Sequence, residues 1–270
     1  MSPAHYARCL VGIIEREGLR FVNQRGRFIS ALVRPLVWLL IFATGFHFVL
    51  GVSIIPPYRT YVPYQEYIAP GLIGMIQLFQ GMQSSLSMVY DREMGSMRTL
   101  LVSPLPRWYL LVSKLLAGVI VSVLQAYVFL AIARFWEIEP PPIGYLTVLP
   151  ALVLSGMMLG ALGLLLSSAI RQLENFAGVM NFVIFPMFFA SSALYPLWRV
   201  QEASLLLYDI CMINPFTHAV ELTRFALYGK INWSALAIVV GCTVVFMVAA
   251  VVAYDPARGL IARRGGGGET

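Results

Sequence analysis

Histidines, cysteines and a strip of glutamines are the residues here whose types could support chemistry. His5, His47 and His218 are scattered, with no Asp or Glu at ligand spacing, and Cys9, Cys211 and Cys242 form no CxxC pair. Neither a zinc site nor a disulfide framework follows, because both need clustered ligands. The patterns GxxxxGK[ST], HExxH, HxxEH and GxSxG are absent, so nucleotide binding, zinc hydrolysis and serine hydrolysis have no motif in this chain. Gln77, Gln80 and Gln83 recur every third residue, followed by Ser84, Ser85 and Ser87. On a helix that spacing keeps the glutamines near one face. Two uses are open to them: hydrogen bonds between helices, or a strip along a polar path or partner subunit. Asn175 and Asn181 pose the same choice.

The elements that position these residues are membrane helices. The chain has 270 residues, 59% of them hydrophobic and only 12% charged, with a mean hydropathy of +0.77. A soluble domain has about 25% charged residues, so the apolar excess must meet lipid. A span needs about 20 mostly apolar residues. Charge-free stretches of that length predict six: Pro35–Ile55, Ile68–Tyr90, Leu115–Ala133 with a start near Tyr109, Ile143–Ile170, Asn175–Trp198 and Trp233–Tyr254. The fold class is therefore an all-α integral membrane protein. Its parts are an amphipathic cytoplasmic segment over 1–34, a six-helix domain over 35–254 and a glycine-rich tail over 255–270. No signal peptide is read in residues 1–34, where charges interrupt any apolar core.

The net charge of +6 does not call for a nucleic acid. Of 19 Lys and Arg, 14 fall on the side bearing both termini, and the positive-inside rule makes that side cytoplasmic. Arg34 and Lys114 are counted there, at span ends. Span interiors hold essentially no carboxylates, so ion-coupled transport lacks its proton or ion relay. Energy for transport would have to come from elsewhere.

Two stretches carry a family resemblance. The first, after the second span, reads Asp91-Arg92-Glu93-Met94-Gly95-Ser96-Met97-Arg98-Thr99-Leu100-Leu101, then Pro104, Pro106, Arg107 and Lys114. The second, before the last span, reads Asn214-Pro215-Phe216-Thr217-His218, with Arg224 after five more residues. Together with six spans and cytoplasmic termini, these resemble the ABC-2 type permeases, membrane subunits of ABC exporters. The C-terminal signature would comprise Pro215, Phe216, His218 and Arg224.

The resemblance implies a multi-pass protein of the bacterial inner membrane, paired with a second permease copy and docked to a separate ATPase. It implies no catalytic residue, metal or cofactor in this chain, with ATP and magnesium held by the partner. A coupling helix would cover about Glu93–Leu101. Its site residues would be Arg92, Glu93, Gly95, Met97, Arg98, Leu100 and Leu101, with Pro104 ending it and Arg107 beside it. Gln77, Gln80, Gln83 and Asn181 would be candidates for the transport path, along the interface where spans two and five meet. Short re-entrant helices would lie between spans five and six. Phe189–Leu197 resembles their opening motif, with Ser192 where glycine is usual. Two other readings are a membrane scaffold or assembly factor, which would not need the coupling loop, and an intramembrane lipid-modifying enzyme, which would need an acidic or histidine cluster that is absent.

Overall fold

A backbone without water must satisfy its own N–H and C=O groups, and helices do so within one segment. The computed structural model describes residues 3–23, 25–45, 56–58, 62–93, 106–170 and 172–254, with no strand among them. The helices are α1 (Pro3–Asn23), α2 (Arg25–Gly45), α3 (Tyr64–Glu93), α4 (Arg107–Ala133), α5 (Gly144–Ala169), α6 (Leu173–Phe189), α7 (Leu197–Ala203), α8 (Leu205–Ile213), α9 (Pro215–Leu227) and α10 (Trp233–Ala253). A 3₁₀ turn, Arg134–Trp136, extends α4.

Among the described residues, three helical stretches are apolar and long enough to cross a membrane: Trp108–Trp136, Gly144–Ala169 and Trp233–Ala253. Leu32–Ile41 and Gly178–Phe189 are shorter apolar segments. The third, fourth and sixth predicted spans thus have helices where expected. α3 covers the whole second one, and its 30 residues measure about 45 Å. Two boundaries differ from expectation. α2 begins at Arg25, so Pro35 lies inside it, as neighbouring helices allow in a membrane bundle. α6 stops at Phe189, nine residues short of Trp198, just after Pro186.

α3 and α5 form the centre. Leu72, Ile73, Leu78 and Met82 of α3 are buried in one core with Leu152, Met158 and Leu159 of α5, Phe129 of α4 and Phe216 of α9. The two central helices touch along small residues: a Cβ on Gly163 would lie 2.7 Å from the Gly81 carbonyl oxygen. The small-residue spacing of Ser155, Gly156, Gly160 and Gly163 on α5 serves this close packing. Of the most apolar window, 61% is buried in α5 but only 17% in α10. α10 accordingly presents Val244, Val245, Val248 and Val252 outward, as a lipid-facing helix does. α1 lies beside the start of α4, where Tyr109 donates a hydrogen bond to the Tyr6 carbonyl and their rings meet edge to face at 5.0 Å.

Candidate functional site

At the end of the bundle where α3 begins, a turn and three short helices are tied down by buried polar groups. The chain leaves α6, turns through Ala190–Pro196, and runs through α7, α8 and α9 before α10. Sequence sets each break. Ser204 caps α8 by accepting from the Leu207 N–H. Asn214 caps α9, with Pro215 at the first helical position, where proline loses no hydrogen bond. Three short helices thus stand between α6 and α10, with the Ser204 cap dividing α8 from α7.

Arg224 is the anchor of this region. It is 2% exposed and pairs with Glu221 one turn earlier. Its second nitrogen donates to the Ser192 carbonyl at 2.8 Å, and the guanidinium carbon lies 4.1 Å from the centre of the Tyr67 ring. Tyr67 donates to the same Ser192 carbonyl at 3.0 Å, and Tyr64 donates to that of Leu194 at 2.7 Å. One arginine and two tyrosines thus hold the turn against α3. Gly71 permits the contact, since a Cβ there would lie 2.6 Å from the Ala193 oxygen. Ser192 does not strain the turn: among the described residues, Glu137 is the one non-glycine with positive φ.

Asn214 joins two helices at once. Its amide donates to the carbonyls of Met187 at 2.7 Å and Ala190 at 2.6 Å, at the end of α6. Its oxygen accepts from the Phe216 N–H at 3.0 Å, at the start of α9. His218 makes a 2.9 Å contact with the Met212 carbonyl, and Phe216 is buried against Phe188. Further out, Tyr228 donates to Glu66 and packs edge to face on Tyr58 at 4.9 Å. Burial pushes the Tyr58 phenol above its usual pKa against the opposing pull of Arg224. Lys230 donates to the Pro57 carbonyl at 3.0 Å.

This region lies within a longer similarity. Residues 9–228 match the family of ABC-2 type transporters. The chain belongs to that family. It is 33% identical over 170 residues to a probable multidrug ABC transporter permease, YbhR, of Escherichia coli K12, covering 62% of this chain and 45% of that protein. It is 28% identical over 227 residues to the putative transport permease ycf38 of Cyanophora paradoxa, covering 82% of this chain and 74% of the other. The ycf38 of Pyropia yezoensis is 25% identical over 225 residues, with the same coverage. The matched segment thus spans less than half the length of the YbhR relative. Family membership and the apolar helices together make this a multi-pass membrane protein.

In this ABC-2 chain the predicted signature residues Pro215, Phe216, His218 and Arg224 all fall on α9; Arg224 reaches the turn, Phe216 packs on α6 and His218 contacts α8. The coupling residues Gly95, Met97, Arg98, Leu100, Leu101 and Pro104 lie outside the described residues. Arg92 and Glu93 sit in the last turn of α3 and Arg107 in the first turn of α4. The glutamine strip divides. Gln77 is buried, donating to the Leu152 carbonyl at 2.6 Å and accepting from Ser155 at 2.7 Å, so it joins α3 to α5. Gln80 and Gln83 are half-buried, and Asn181 is exposed on α6. Arg34, which the charge tally places at a span end, lies exposed midway along α2. Its guanidinium carbon lies 3.9 Å from the centre of the Phe79 ring, in the middle of α3. The apolar run from Leu32 to Ile41 continues through it and carries the signal.

Proposed function

We propose that this chain is the permease subunit of an ATP-driven ABC exporter, which forms the substrate path as a pair and couples to a separate ATPase through the loop after α3. The observation that supports it best is α3 itself. One helix joins the family's loop residues at Arg92 and Glu93 to Tyr64 and Tyr67, which hold the turn before α7. Force applied at one end therefore has a continuous element to act through. The names of the relatives, a multidrug permease and transport permeases, agree with this reading.

Six spans would be α2, α3, α4, α5, α6 and α10, with both termini cytoplasmic and α1 on the inner leaflet. α7, α8 and α9 would dip into the membrane from the outer side. The spans lack carboxylate relays, and hydrolysis by a partner holding ATP and magnesium supplies the energy instead. The substrate path would run between two copies along α3 and α6.

The test is co-purification with an ABC ATPase encoded by a neighbouring gene. Replacing Met97, Leu100 and Leu101 by aspartate is expected to abolish pairing while leaving the membrane subunit folded. Retained pairing with retained ATPase stimulation would favour a scaffold or assembly factor.

A further inference from the structure

Arg34 brings a charge to the middle of the membrane segment. Phe79, over which it lies, stands eleven residues from each end of the Ile68–Tyr90 stretch, about 16 Å along the helix. A charged side chain at such depth is expensive and marks a ligand or ion pathway by default. Long arginines often reach to the headgroups; this one stacks on an aromatic ring and stays exposed on the surface of the single chain. Among the described residues no carboxylate pairs with it.

The face beside it mixes amides with aromatic side chains. Gln83 follows Phe79 by one turn on the same face of α3, and Gln80 lies beside it; both are half-buried. α2 and α6 flank this face and meet where Trp38 packs edge to face on Phe189 at 6.2 Å. α6 adds the exposed Phe182. The face thus offers one planar cation, two amides and an apolar rim.

We propose that Arg34, with Gln80 and Gln83, recognises the headgroup of the cargo, and that the cargo is an amphiphile whose head is an anion such as a phosphate. The guanidinium fork matches an oxyanion with two hydrogen bonds. The glutamines donate to its remaining oxygens, and the aromatic and aliphatic rim takes the tail. A cationic amphiphile meets like charge and is refused. This rests on the substrate path running along α3 and α6.

Binding is measured on the full chain in nanodiscs of phosphatidylcholine. Two dansyl-labelled alkyl amphiphiles share one tail; one ends in phosphate, the other in trimethylammonium. The phosphate probe is expected to bind at least about tenfold tighter, the lower range of a charge-assisted hydrogen bond. Arg34→Gln removes that preference and Arg34→Lys keeps part of it. Gln83→Glu, which leaves Arg34 in place for folding, weakens the phosphate probe and strengthens the cationic one. Equal binding of both probes by the native chain, or a preference unmoved by these variants, overturns the proposal. Inorganic phosphate displacing the probe at matching concentrations assigns the site to a free anion and overturns it too. Binding here needs no ATPase, so a failed coupling-loop test and a failed headgroup preference are separate results.

Discussion

Arg224 donates to the carbonyl of Ser192 at 2.8 Å, joining α9 to the turn that follows α6. The same carbonyl accepts from Tyr67 of α3, so one oxygen is the meeting point of three segments.

Arg224→Leu is expected to cost about 3–5 kcal/mol, because it leaves Glu221 and the Ser192 carbonyl without their cation. Arg224→Lys recovers only part of this, since an ammonium cannot span both partners as the fork does. Heating in detergent followed by size-exclusion chromatography reads the loss. An unchanged melting profile for Arg224→Leu removes the residue from its anchoring role.

Asn214→Ala removes two donated bonds and one accepted bond at the junction of α6 and α9. The expected loss is about 2–4 kcal/mol, more than a single cap contributes. Asn232→Ala is the comparison. Asn232 caps α10 through one bond to the Ala235 N–H, and its loss is expected to cost about 1 kcal/mol. Equal losses would show that bridging two helices adds nothing.

Gly71→Ala places a methyl group 2.6 Å from the Ala193 oxygen, with an expected cost of about 1–3 kcal/mol from overpacking. Gly241→Ala on α10 meets nothing within 4 Å and is expected to be neutral or slightly stabilising. The two variants measured together by thermal unfolding separate close contact from any general effect of losing glycine.

Gln77→Leu breaks the bonds between α3 and α5 and is expected to lower stability by about 0.6–2 kcal/mol. The pair Gln80→Leu and Gln83→Leu is expected to spare stability and reduce transport. Dye efflux from cells, alongside thermal unfolding of the purified protein, checks both. Full export by the Gln80→Leu and Gln83→Leu pair removes these residues from the path.

Much of this was legible in the sequence, and the reasons for the remainder are physical. The three long apolar helices followed from apolar length, because lipid imposes that length on any helix crossing it. The break at Asn214-Pro215 is local cap chemistry seen in the structure, on residues the sequence offered as a family signature. The place of Arg34 was not legible, because a charge in a sequence carries no depth: that place depends on α2 starting ten residues before Pro35 and on Phe79 of a different helix. The strip spacing showed that Gln77, Gln80 and Gln83 share a face, yet it could not separate them. Burial did, since a face that drifts around α3 turns Gln77 to α5 and the other two outward. The partners of Arg224 lie 32 residues away at Ser192 and 157 at Tyr67, beyond any local pattern.

Helix length has a further consequence. The 21 residues of α10 span about 32 Å, close to the thickness of a bilayer's hydrocarbon, whereas the 30 residues of α3 exceed it by about 15 Å. Both helices pack on α5, and the apolar stretch of α3, Ile68–Tyr90, nearly matches α10 in length. The excess of α3 is therefore its polar ends, around Glu66 and Asp91–Glu93, which a bilayer of ordinary thickness leaves in the headgroup layers.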